Sequence, residues 1–136
     1  GAQYWKAKDA DGRTEKSVEI INAVMWCVND LKPSWWALEN PVGRLKEWIG
    51  PASWSFNPCD YAGYLDDPDS QEANRYTKKT LIWGTAVKPE PRRLEPIRVC
   101  SQGSWVQRLG GKSERTKELR SMTPDGFARA FALANP

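Results

Sequence analysis

Trp35-Trp36-Ala37-Leu38 runs directly into Glu39-Asn40-Pro41, and this junction limits what the rest of the chain can be. A short apolar run closed by polar residues is the signature of a buried strand. Pro41 disfavours the α conformation at Asn40, so the chain must leave that strand extended and Glu39 is held at its C-terminal rim. In open α/β sheets the rim is where ligands bind, which makes Glu39 and Asn40 the first candidates for chemistry.

The flanking segments fit an α/β unit. Val18, Ile20, Ile21, Val24, Met25, Val28 and Leu31 recur at helical spacing between Thr14, a suitable N-cap, and Pro33, which predicts a helix over 14–31 with a wide apolar face suited to lying on a sheet. A second helix is expected over 42–49, ended by Gly50-Pro51. Ser53 to Asn57 alternates at period two, and Lys78-Lys79-Thr80-Leu81-Ile82-Trp83-Gly84 is β-branched and aromatic, so both are expected strands, with Ile97-Arg98-Val99 as a further one. Thr123-Pro124-Asp125 opens a terminal helix over 124–134, with Pro at its first position and Phe127, Ala130, Phe131 and Ala134 on one side. The acidic stretch Asp66 to Glu72 lacks the glycine and terminal Glu of a calcium loop and reads as a mobile solvated loop. Gly110-Gly111-Lys112-Ser113 is not a phosphate loop, because Val106 stands where the first glycine is required.

These pieces predict an α/β fold in a single small domain, with a mixed sheet of about three to five strands flanked by helices. The expected order is an N-terminal arm (1–13), an α/β core (14–87), a basic Pro/Gly-rich connector (88–121) and the terminal helix (122–136). At 136 residues and 40% hydrophobic content, one ordinary core is all the chain can bury. The absence of any His removes Ser-His-Asp and Cys-His nucleophile systems and most zinc chemistry. Cys27, Cys59 and Cys100 are odd in number and far apart, so neither a disulfide framework nor a metal site is expected. Asp60 with Glu39 lacks the acid-x-Lys pairing of a metal-dependent nuclease. No run approaches the roughly 18 apolar residues of a membrane span, so the chain reads as soluble and cytoplasmic, with no membrane partner.

Charge is unevenly placed. Residues 91–136 carry 9 basic and 4 acidic side chains, against 5 and 6 over 1–41 and 6 and 7 over 42–90, so the last third holds the net excess of +3. Arg92, Arg93, Arg108, Lys112 and Arg115 there, with Arg44 and Lys78 upstream, are the candidate nucleic-acid contacts; the plainer alternative is a solvated face.

The order of these pieces resembles the middle and rear of C5-cytosine DNA methyltransferases, particularly the compact forms carried by phages and mobile elements. In that family a Glu-Asn pair at a strand end faces a flipped cytosine, and a later Asp-Tyr-Gly segment followed by a basic strand serves the same pocket. Glu39-Asn40 is similar to the first; Asp60-Tyr61 with Lys79 through Gly84 is similar to the second; Ser121-Met122-Thr123-Pro124 and its helix look like the closing segment. The resemblance implies catalytic roles for Glu39, Asn40 and Lys79, the last holding the base carbonyl or a neighbouring phosphate. The family's Pro-Cys nucleophile and glycine-rich cofactor strand have no counterpart here, since Cys27 lies mid-helix and Cys59 follows the Glu. The implied protein is therefore a truncated or split domain that binds DNA or a flipped base and does not methylate alone. It would bind no cofactor itself, S-adenosylmethionine entering only with a complementing methyltransferase polypeptide. A different class of reading is an interaction module or homodimer whose exposed Trp35, Trp48, Trp54 and Trp105 form a protein–protein face, because eight Trp exceed what one small core needs.

Overall fold

A computed structural model describes Ala10 and residues 12–101, 103–110 and 113–136, with the backbone alone for 13, 14, 16, 17, 107 and 108. Most of the expected N-terminal arm lies outside the described residues, as do Gly111 and Lys112. The chain runs α1 (Arg13–Leu31), β1 (Ala37–Pro41), α2 (Lys46–Ile49), β2 (Trp54–Phe56), two 3-10 turns (Pro58–Asp60 and Ala62–Tyr64), α3 (Pro68–Asn74), β3 (Thr80–Gly84), α4 (Trp105–Arg108), α5 (Glu114–Ser121) and α6 (Asp125–Ala134). It is a small α/β domain. Its sheet has three strands in the order β1-β3-β2, and both pairings are antiparallel.

The most apolar and β-branched strand takes the centre, as burial on two sides requires. Thr80, Ile82 and Trp83 of β3 are buried, and the Trp83 indole N–H donates to the Gly50 carbonyl at 2.8 Å, so the large ring is buried with its polar atom satisfied. β1 lies at the edge, the position where Pro41 removes no needed ladder bond. The buried strand expected at Trp35 is thus a half-exposed edge strand that begins at Ala37. Trp35 instead packs edge-on to Phe131 at 5.8 Å, while the Trp36 carbonyl accepts from the backbone N–H groups of Thr85 and Ala86.

The core sits where α6 and the 3-10 turns cover the sheet. Phe56, Tyr61, Ile82, Phe127 and Ala130 form it, with Trp54, Tyr64 and Phe131 at its margin. Phe127 and Phe56 stack at 3.8 Å, and Tyr61 and Trp54 tilt onto Phe127 at 5.4 and 6.2 Å. Two buried amides fasten the terminal helix. Asn74 accepts from the Gly126 N–H, and Asn135 both accepts from the Val87 N–H and donates to the Val87 carbonyl.

Gly126 shows packing overriding local preference. A Cβ there would lie 2.5 Å from the Tyr61 carbonyl oxygen. Alanine normally gains about 1 kcal/mol over glycine inside a helix, whereas forcing a methyl into a closed backbone contact costs about 1–3 kcal/mol. Gly126→Ala is therefore expected to lower the urea midpoint, and a raised midpoint would show that α6 can shift away.

Several expected elements differ. α1 extends over the predicted span, but its N-cap is Gly12 rather than Thr14, and none of its described side chains is buried. Instead of lying on the sheet it leaves Ile20, Trp26 and Leu31 at 66%, 64% and 73% exposure. The second helix shrinks from 42–49 to Lys46–Ile49, because the chain turns through Val42 to Leu45 first. The acidic stretch is not a loop: Asp67 caps α3 by accepting from the Ser70 N–H at 2.8 Å, and Pro68 takes the first helical position. No strand forms at Ile97-Arg98-Val99, where Arg98 adopts a positive φ of 54°. The connector over 88–121 contains α4 and α5. In α6, Pro124 is the N-cap rather than the first helical residue.

Candidate functional site

Antiparallel pairing of β1 with β3 sets Pro41 opposite Thr80 and Asn40 opposite Leu81. The chain leaving β1 and the chain approaching β3 therefore open around one hollow. Glu39, Asn40, Pro41 and Val42 form one wall of this cavity of about 690 Å³, and Lys78 and Lys79 form a second. Val106 of α4 and Lys117, Arg120 and Ser121 of α5 close it. Its mixture of apolar surface and a few converging polar groups is what a small-ligand site requires.

The electrostatics follow from this placement. Partial burial raises the Glu39 carboxyl above its ordinary pKa, and the Lys78 charge opposes that rise without cancelling it. Glu39 is itself an exposed residue of the edge strand, and its carboxyl keeps a proton somewhat more readily than that of an isolated glutamate. Lys78 is anchored: its Nζ donates to the Arg120 carbonyl at 2.5 Å, placing a cation at the C-terminal end of α5, where the helix dipole favours it.

A raised carboxyl pKa has a definite stability consequence. The folded state binds the Glu39 proton more tightly than the unfolded chain, so the associated stability is complete below the unfolded pKa near 4.5 and is lost as pH rises through the higher folded value. Glu39→Gln mimics the protonated form. Thermal unfolding should show it more stable than wild type at pH 7, with the gap closing below about pH 4; solvent access keeps the difference under about 1 kcal/mol. A gap that widens on acidification would reverse the assignment.

Glu39, Asn40, Lys78 and Lys79 are thus brought together, and the other sequence candidates are placed elsewhere. Arg44, Arg92, Arg93 and Arg115 do not line the cavity. Arg44 pairs with Glu47 and lies 5.5 Å from the Trp48 ring centre; the Arg92 guanidinium stacks over Tyr64 at 4.3 Å. Arg93 bonds Asp60 at 2.7 Å. Only the backbone of Arg108 is described, and Lys112 lies outside the described residues. Asp60 and Tyr61 serve structure. Asp60 also accepts from the Asn57 N–H, and the fully buried Tyr61 donates to the Pro89 carbonyl, its phenol pushed up to about 12 chiefly by burial.

Cys59 is fully buried, and burial with the neighbouring Asp60 charge raises its thiol pKa, which disfavours the thiolate a nucleophile needs. Among the described residues no three His, Cys, Asp or Glu side chains gather as a metal site, and no helix is long and apolar enough to cross a membrane. Lys117 and Arg120 belong to the basic C-terminal run that suits a phosphate-backbone partner, but the sequence does not set them apart within it as residues of this site. α5 has no apolar stripe to mark it as a helix; the available signal was Ser113, whose side chain caps it by accepting from the Thr116 N–H. No family model, no curated protein and no solved structure matches the chain.

Proposed function

We propose that the chain is the base-cradling portion of a C5-cytosine-methyltransferase-like domain, binding DNA and receiving an extruded cytosine against Glu39. The observation that carries this reading is the meeting of a carboxyl, its neighbouring amide and two lysines around one cavity large enough for a single base. Extrusion is required because the ring cannot be reached inside the duplex. Glu39, predisposed to hold a proton, hydrogen-bonds the N3/N4 edge and relieves the negative charge that develops on the ring when a thiolate adds at C6. Asn40 fixes that edge's orientation, and Lys79 holds the base carbonyl or a neighbouring phosphate.

S-adenosylmethionine supplies the methyl group in this chemistry. Its sulfonium is a cation, which a cavity lined by four cationic residues and one carboxylate does not favour, and no cysteine is among the described residues lining that cavity, so cofactor and nucleophile are assigned to a complementing polypeptide segment. The test pairs two measurements on this chain alone. Duplex DNA should bind with an affinity that falls steeply as salt rises, and labelled methyl transfer should be absent. Failure to bind DNA overturns the reading, and robust transfer overturns the assignment of the nucleophile elsewhere.

A second reading is favoured by α1. A helix of 19 residues that buries none of its described side chains is marginal in water unless something covers it. Ile20 and Leu31, which fall on one side of α1, suit the interaction-module alternative as a homodimer seam better than Trp48, Trp54 and Trp105, which are partly buried. Dimerisation through it would persist at high salt, unlike DNA binding.

A further inference from the structure

We propose that Lys117 and Arg120 of α5 are the phosphate-binding half of the cavity, holding backbone phosphates beside the nucleotide whose base Glu39 receives. This rests on the reading above and assigns its affinity to a helix outside the strands that present Glu39. The two residues stand three apart on α5, hence on neighbouring positions of one face, and both line the cavity that Glu39 lines.

Charge points to a polyanion. Lys78, Lys79, Lys117 and Arg120 face the cavity with Glu39 as its one carboxylate among the described lining residues, so this wall carries as much excess charge as the whole chain's net +3. Availability differs among the four. Lys78 is committed to the Arg120 carbonyl, a bond that also ties the last turn of α5 to the approach of β3 and so positions the Arg120 side chain through its backbone. The Arg120 guanidinium has no hydrogen bond or ion pair with any described residue, and its planar fork matches a phosphate's oxygens. Lys117 is paired with Glu114, but both partners are largely exposed, and such a pair is weak enough to yield to a phosphate. One cation with an open fork beside a second held loosely suits a backbone that presents a charge at every nucleotide.

The experiment is a salt series of duplex binding by fluorescence anisotropy for the full chain, with Lys117→Ala, Arg120→Ala and the double variant. Arg98→Ala, which removes the Glu72 ion pair away from this cavity, is the control. Each phosphate contact contributes about 0.9 to the slope of log affinity against log salt, so each substitution should flatten the slope by about 1 and the double variant by about 2. Arg98→Ala should leave the slope unchanged, and Arg120→Lys, which keeps the charge, should restore it. Circular dichroism confirms that each variant is folded. A double variant with the wild-type slope overturns the clamp while leaving the base-cradling reading intact; a wild-type chain that binds no DNA at low salt overturns both.

Discussion

Replacing Phe127 with alanine is expected to cost about 3–5 kcal/mol, a large part of the roughly 5–15 kcal/mol that holds a domain of this size folded. The reason is position. The ring stacks on Phe56 at 3.8 Å and meets Trp54, Tyr61 and Phe131, so it joins α6 to β2 and to the 3-10 turns at once. Removing it leaves a cavity lined by aromatic faces, and rings bound to a strand, a turn and a helix cannot all move to fill it. The denaturation midpoint should fall while the slope of the transition stays constant, and the melting temperature should drop by about 10 °C or more. A loss below about 1 kcal/mol would mean that the aromatic cluster is looser than its geometry implies.

Gly84→Ala is expected to be nearly as severe, for a different reason. Gly84 has φ of 120°, which carries about 1–3 kcal/mol of strain for a side-chain-bearing residue, and an added Cβ would collide with the Trp36 carbonyl. That carbonyl cannot retreat cheaply, because it accepts from Thr85 and Ala86 at 3.0 and 3.1 Å. Strain and collision together should exceed about 3 kcal/mol. Gly50→Ala is the control: φ there is 79°, but nothing lies within 4 Å of the added methyl, so it carries strain alone. The same collision would push the start of β1 off β3.

Strands and terminal helix were legible because their patterns are local. Thr80-Leu81-Ile82-Trp83 can hardly be anything but a strand, and Phe127, Ala130 and Phe131 mark one buried face of α6. Elements defined by capping rather than by apolar period were missed: α3 begins on the Asp67-Pro68 pair inside an acidic stretch, and α5 begins on Ser113 with no apolar stripe behind it. Periodicity also misled about α1, since a wide apolar face specifies that something covers a helix but not what. In the candidate site, Glu39 was legible as the acid of the Glu39-Asn40-Pro41 stretch, but its expected place at the strand's rim is corrected: Pro41 stays in β1 opposite Thr80, and Glu39 sits mid-strand opposite Ile82. That Lys78 and Lys79 share its hollow follows from the antiparallel pairing of β1 and β3, which no single stretch encodes. Lys117 and Arg120 join through a helix that sequence reading treated as connector.

The most direct test of the central proposal, that this hollow receives an extruded base, compares two duplexes that differ at one position: a cytosine facing its guanine, and the same cytosine facing an abasic site. Unpairing costs a few kcal/mol, so a chain that takes the base out of the stack should bind the second duplex about tenfold or more tightly. Glu39→Ala should erase that preference while leaving the salt dependence unchanged. Equal affinity for the two duplexes, or a preference that survives Glu39→Ala, would contradict the account.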